Sequence, residues 1–217
     1  TYVGVTVVPQ DDNTLNLFVG SGQPLVVGSL ASRLEASQGV ADPTRFEVDF
    51  VSGNSRQTIT SLLSGGELGG LIRYRAETLD TTLNSIGRLA LAVGDQVNTQ
   101  LGQGLDLKGQ VGAALYNDIN DPALAALRVR AFATNTGSVQ PTLDITNSSV
   151  LTTSDYRVEY DGVNYSARRL SDGALMTVTP PAPGAYPATL SFADAGGNDQ
   201  GFTLGISAAP NANDKFL

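Results

Sequence analysis

Between Ser64 and Gly104 the apolar residues of this 217-residue chain recur every seven positions. Ile72, Leu79, Ile86 and Val93 hold one heptad position, and Ala76, Leu83, Ala90 and Val97 hold the position four residues after each. Residues three and four apart stack on one side of an α-helix, so the two series make a narrow stripe about four heptads long, not an all-round apolar surface. Arg73, Arg75, Glu77, Asp80, Asn84, Arg88 and Asp95 lie outside it. Ser64 with Glu67 three residues on has capping-box spacing, and Gly102 and Gly104 mark the stop. The pattern predicts one helix of about 35 residues, on the order of 50 Å long. Such a seam must be buried against something, or the helix stays only marginally stable in water. The chain has no second helical stretch of comparable length, so it is expected to be a fragment whose partner helices lie in flanking sequence, or a helix that packs on a second copy of itself. The chain's own sheets would cover only part of the seam.

Composition narrows the chemistry open to this chain. It has no Cys, His or Trp, which removes thiol nucleophiles, disulfides, most zinc and haem sites and the commonest general acid/base residue. Only 16% of residues are charged and the net charge is −8, so there is no basic footprint for nucleic acid. No apolar run approaches the roughly 20 residues that cross a bilayer, and the opening TYVGVTVVPQ lacks the charged and apolar regions of a signal peptide. Residue 1 is not Met and opens a strand, so the start is expected to be a processing or cloning boundary. Abundant Gly, Ser, Thr and Asn fit an extracellular structural protein, not an enzyme, and no cofactor is expected.

Before the helix, short strands are expected at residues 2–8, 14–19, 24–27, 33–36, 45–51 and 57–60, separated by turn signals and forming a small antiparallel sheet. In Arg45-Phe46-Glu47-Val48-Asp49-Phe50 the alternation puts Phe46, Val48 and Phe50 on one face and the three charged residues on the other. After the helix a Gly-broken connection leads to a second domain near Arg128. There the signal is all-β, with strands expected at 129–133, 142–145, 156–160, 164–170, 174–178, 189–192 and 201–206, and the chain ending inside another. Asp161-Gly162 and Asp172-Gly173 are hairpin signals. The expected fold is α+β and multidomain. Residues 1–127 form a partial helical-bundle domain with a β element and the long helix at about 65–101, and residues 128–217 form an all-β, Ig-like or sandwich outer domain truncated at its C-terminus.

Several clusters could carry chemistry. Asp118-Ile119-Asn120-Asp121 and Asp11-Asp12-Asn13 could offer oxygens to calcium, but both read more simply as turns, and no metal ligand is assigned. Gly196-Gly197-Asn198-Asp199-Gln200-Gly201 echoes a calcium-binding repeat only once and reads as a tight loop. Gly65-Gly66 and Gly69-Gly70 lack the P-loop Lys and suit close backbone packing. Asn147-Ser148-Ser149 and Asn164-Tyr165-Ser166 match the glycosylation sequon, with no modification expected. Glu159 and Asp161 could in principle form a glycosidase pair, but they read as solvent-facing hairpin residues, so no catalytic residue is assigned. Tyr156, Tyr160, Tyr165 and Tyr186 leave one alternative function open, an adhesive or carbohydrate-binding extracellular β module, although the parity of Tyr156 and Tyr160 with Val158 suits a core equally well.

Five stretches carry a resemblance. GSGQPLVVG at 20–28, SGGELGGLIRYR at 64–75, Leu79-Asp80 with Asn84 and Leu89-Ala90, Asn98-Thr99-Gln100, and GLDLKGQVGAALY at 104–116 occur in the order and at the distances found in the FlgK family of flagellar hook-associated proteins, which the chain resembles densely over about its first 120 residues. SSVLTTSDYRVEYDGVNYSARRLSDG at 148–173 and the terminal NDKFL resemble it more loosely. Gln100, where many relatives carry His, and Tyr116 for a common Phe depart from the pattern, as does Asn213 for Gly.

The resemblance implies a structural subunit at the junction of bacterial hook and filament, outside the cell, exported through the flagellar type III apparatus without a cleaved signal peptide. It implies self-assembly into a ring and, as partners, copies of the chain, the hook protein, the second hook-associated junction protein and an export chaperone for a C-terminal segment, with no nucleic acid or membrane. It also implies that helices outside these residues cover the seam of Ile72, Ala76, Leu79, Leu83, Ile86, Ala90, Val93 and Val97.

Overall fold

Seven short strands precede the long helix, and they form two sheets where the sequence pattern suggests one. The computed structural model describes residues 1–217, which divide into two compact units, Thr1–Thr81 and Thr82–Leu217. In the first unit β1 (Val5–Pro9), β2 (Leu15–Val19), β3 (Gln23–Val27) and β4 (Leu30–Ala31) make a four-stranded antiparallel meander in chain order. The strands β5 (Arg33–Gln38), β6 (Phe46–Ser52) and β7 (Ser55–Thr58) make a separate three-stranded sheet with β6 in the middle. Val19, Phe50, Ile59 and Leu63 form the core of this unit, with Leu68 and Ile72 packed against it. Leu68 and Ile72 are four residues apart, the spacing that puts two side chains on one helix face.

The alternation in β6 is only partly realised. Phe50 is buried, but Phe46 is 66% exposed and Asp49, expected on the solvent side, is 3% exposed. Asp49 lies opposite Glu35 on β5 and Thr58 on β7, and it is neutralised in place: Arg56 reaches it at 3.0 Å and also pairs with Glu35, while the Thr58 hydroxyl donates to it at 2.8 Å. Burial pushes the Asp49 carboxyl up, but hydrogen bonds from Ser37, Thr58 and Arg56 outweigh burial and hold it below the ordinary range.

The long helix runs for 37 residues as α1 (Gly66–Tyr74), a π turn (Arg75–Leu79) and α2 (Asp80–Gly102). Its start differs from the capping-box expectation. Gly65 occupies the N-cap with no side-chain cap, and the Glu67 and Leu68 N–H groups donate instead to the Thr1 and Tyr2 carbonyls at 3.1 and 3.0 Å. Gly66 permits this close approach: it has φ +67°, and a Cβ there would lie 2.8 Å from the Tyr2 oxygen. The π turn was not legible in the heptads. Its two ends are tied to the β6 region, Arg75 donating to the Phe46 carbonyl at 3.1 Å and Asp80 pairing with Arg45 at 2.7 Å.

In the second unit, α3 (Pro122–Leu127) stands where the sequence reading placed only a connection. Asp121 caps it by accepting from the Ala123 N–H at 2.9 Å, and Pro122 sits in its first turn. The strands are β8 (Pro141–Ile145), β9 (Tyr156–Tyr160), β10 (Tyr165–Arg169), β11 (Leu175–Thr179), β12 (Ala188–Ala193), β13 (Asp199–Ile206) and β14 (Lys215–Phe216). All pairings are antiparallel, in the order β14-β9-β10-β11-β12-β13-β8. The expected α+β class and all-β second part are thus present, but two independent stacked sheets are not. β11 serves both halves, pairing with β10 through Leu175 and Met176 and with β12 through Thr177–Thr179, so one sheet folds over its own core. Residues 129–133, expected as a strand, form no full strand but pair antiparallel with the chain end: Ala131 bridges to Phe216, Arg130 and Leu217 exchange N–H···O=C bonds at 2.7 and 2.9 Å, and the Phe132 N–H donates to the Lys215 carbonyl at 3.0 Å. The β9–β10 turn is as the sequence suggests: Gly162 has φ +105°, and the Asp161 carboxylate accepts the Val163 and Asn164 N–H groups at 2.7 Å.

Candidate functional site

The heptad seam is largely bare. Ala76, Leu79, Leu83, Ile86, Ala90 and Val93 are exposed, Leu83 and Ile86 by 56% and 60%. Val97 is half-buried, and Ile72 packs against the core of the first unit. Leu71 and Leu89, each 65% exposed, widen the apolar surface. Contiguous exposed apolar surface on a soluble chain marks an interaction site more often than chance does.

A different stripe of the same helix is already occupied. Asn84 Nδ2 donates to the Thr153 carbonyl at 3.0 Å and to Asp155 Oδ1 at 3.1 Å, and Arg88 donates to the Leu151 carbonyl at 2.8 Å. Asp95 accepts from the Ser148 hydroxyl at 2.8 Å. Asn98 accepts the Leu115 and Tyr116 N–H groups and donates back to the Tyr116 carbonyl at 2.9 Å. Gly94 is buried, with Tyr116 Cβ 3.9 Å from where its own Cβ would stand. A groove of about 260 Å³ runs beside Leu83, Gly87 and Leu91, lined on the other side by Leu143, Ile145, Leu151 and Phe202. The sequence carried a signal for this stripe, since Asn84, Leu91 and Asn98 recur at seven and Arg88 and Asp95 do the same. At 3.6 residues per turn these residues lie about a third to a half of a turn from the apolar seam.

The candidate chemical clusters resolve into turns and core. Asp118 accepts the Asn120 N–H, and Asp194 accepts the Gly196 and Asn198 N–H groups. Asp161 closes its turn, and Glu159 lies within β9, inside the strand expected at 156–160, where it pairs with Arg157 at 2.8 Å and Lys215 at 3.7 Å. The tyrosines face inward. Tyr156 meets Phe202 edge-on at 4.9 Å, Tyr160 lies 4.7 Å from Tyr165, and the Tyr165 hydroxyl is 3.1 Å from that of Tyr186. Burial and the Tyr186 contact push the Tyr165 hydroxyl far above the ordinary phenol range, as expected for a 4%-exposed side chain.

Residues 1–116 match the family model described as the flagellar hook-associated protein FlgK helical domain, and residues 131–217 match the D2-like domain of flagellar hook-associated protein 1. The chain belongs to the FlgK family. It is 34% identical to flagellar hook-associated protein 1 of Escherichia coli strain K12 over 216 residues, covering 99% of this chain and 36% of that protein. The corresponding Salmonella typhimurium protein is 32% identical over 217 residues, with the same coverage. A solved structure described as the flagellar hook junction protein FlgK from Burkholderia pseudomallei superposes with a TM-score of 0.80 at 30% identity, covering 99% of this chain and 37% of that one. The chain therefore spans about 36% of the length of the curated FlgK relatives it matches.

Proposed function

We propose that this chain is part of a structural subunit of the bacterial flagellum, placed outside the cell at the hook–filament junction and acting by self-assembly into a ring. The single observation that carries the reading is the bare seam from Leu79 to Val93 on a helix whose neighbouring stripe is already bonded to its own chain. A rigid helix with one face fixed and the other free is suited to join a bundle. Kinship with FlgK proteins supports the junction location. Under this reading the seam of Ile72, Ala76, Leu79, Leu83, Ile86, Ala90, Val93 and Val97 meets helices outside these residues, with Ile72 shared with the first unit's core. The partners are further copies, the hook protein, a second junction protein and an export chaperone, and export needs no cleaved signal. The helix-bearing part through residue 127 and the β part from 128 act as successive domains. An adhesive role draws no support from the tyrosines, whose rings lie against one another and against Phe202.

The test is Ile86→Asp in the full-length protein. Ile86 is 60% exposed here, so the isolated 217-residue chain should keep its stability to within about 0.5 kcal/mol. The full-length protein should lose several kcal/mol and fail to label the hook tip in electron micrographs, because an unpaired charge enters a packed bundle. Normal junction assembly by the variant would refute the reading.

A further inference from the structure

The connection that follows α2 is an ordered hairpin with its apolar side chains turned outward. Leu105 and Val111 form a bridge, the Asp106 N–H donates to the Gln110 carbonyl at 2.7 Å, and the Gly112 N–H donates to the Gly104 carbonyl at 3.0 Å. The Asp106 carboxylate accepts the Lys108 and Gln110 N–H groups at 2.7 and 2.8 Å. At Gly112 an added Cβ would collide with the Leu101 carbonyl, so the hairpin is seated against the end of α2. Despite this order, Leu105 is 72%, Leu107 108%, Val111 68% and Leu115 68% exposed. A turn held by its own hydrogen bonds loses little further freedom on docking, which makes these side chains efficient anchors. The Asp106 charge is engaged by main-chain donors while the Lys108 ammonium has no acidic partner, so the hairpin presents leucines beside a cation.

The first unit has a surface of complementary character. The register of the four-stranded sheet aligns Val7, Leu17, Val26 and Ala31 across all four strands, flanked on the same face by Val5 opposite Val19 and Pro9 opposite Leu15. Val5, Val7 and Leu15 are 41%, 48% and 56% exposed. Residues 1–32 contain no Lys or Arg, and their only charges are Asp11 and Asp12 at the β1–β2 turn. Val19 on the same face is 1% exposed in the core of the unit, so the apolar plate is open along β1 and at Leu15, beside the acidic turn.

We propose that the hairpin of residues 104–112 docks on the β1–β4 face of a second copy of the chain, with Leu107 against Val7 and Leu17 and Lys108 beside Asp11 and Asp12. The proposal rests on the ring reading above and names the contact that would build the ring. Charge selects this pairing over hairpin on hairpin, which would set Lys108 against Lys108. Two unlike patches give a head-to-tail contact, which propagates from subunit to subunit and closes when the rotation allows.

These 217 residues contain no Cys, so a cross-linking test is made in full-length protein assembled on cells, with every Cys outside these residues replaced by Ser. With Val7→Cys and Leu107→Cys in the same chain, oxidation should yield a ladder of covalent multimers. Either variant alone should stay monomeric, and a mixture of the two single variants should stop at dimers. Lys108→Glu added to the double variant should reduce the ladder several-fold, and Asp11→Lys added to that should restore it. Immunogold labelling of each variant reports junction location separately. Label at the junction without a ladder, dimers from Leu107→Cys alone, or adducts to a different flagellar protein would overturn the docking contact and leave the ring reading standing. Unmutated protein missing from the junction would overturn both.

Discussion

Replacing Asp214 by Ala should unlock the second unit. Asp214 is 2% exposed, and its carboxylate accepts three main-chain N–H groups: Thr136 at 2.9 Å, Gly137 at 3.1 Å and Asn211 at 2.9 Å. These bonds tie residues 135–137 and the 211–214 turn to β14, which closes one edge of the sheet on β9. Hydrogen bonds to a charged group are each worth about 1.5–3 kcal/mol, but removing the carboxylate also relieves its own burial, and water can enter the space it leaves. The net expectation for Asp214→Ala is about 3–5 kcal/mol. Asp214→Asn keeps the shape yet must aim its NH2 at a donor, because Oδ1 and Oδ2 both accept; about 1–3 kcal/mol should be lost. Urea unfolding followed by far-UV circular dichroism and tyrosine fluorescence measures both, and the midpoint should fall with the slope unchanged. An Ala variant less than about 1 kcal/mol below the parent would mean that the three N–H groups find other partners, and the reasoning would fail.

Three further outcomes can be checked on the same chain. Ser64→Ala should change stability by no more than a few tenths of a kcal/mol in a thermal melt, where a true N-cap would lose about 1 kcal/mol, because the Thr1 and Tyr2 carbonyls hold the helix start. Gly70→Ala should stabilise by about 0.5–1 kcal/mol in a urea titration, since it lies inside α1 with nothing within 4 Å of the added Cβ. The Asp49 carboxyl titrates below its unfolded value, so its stabilising effect is fully present above about pH 4 and fades as pH falls through the folded value. Asp49→Asn should remove that component of the acid dependence in melts taken across pH 2–6.

Much of the candidate site was legible because helix periodicity is a local property. Leu79, Leu83, Ile86 and Val93 fall on one face whatever surrounds them, and so do Asn84, Leu91 and Asn98. What periodicity could not assign was the partner of each stripe. Both repeat at seven, and only the folded chain places Thr153, Leu151 and Ser148 against the polar one and leaves the apolar one bare. The same limit explains the helix start. Ser64 and Glu67 have the spacing of a capping box, but the Thr1 and Tyr2 carbonyls, more than sixty residues away in sequence, satisfy the N–H groups first.

By itself the sequence determined the long helix, most of the strands to within a few residues and the Asp161-Gly162 hairpin, since each depends on near neighbours and on backbone preferences of Gly, Pro and Asp. Tertiary structure decided whatever depended on distant partners. It divided the early strands into two sheets, buried Asp49 beneath Arg56, inserted a π turn anchored at Phe46 and Arg45, and bent β11 so that one sheet encloses its own core. Short-range sterics and periodicity fix which elements form, whereas burial and hydrogen-bond satisfaction across the whole chain decide what each face meets.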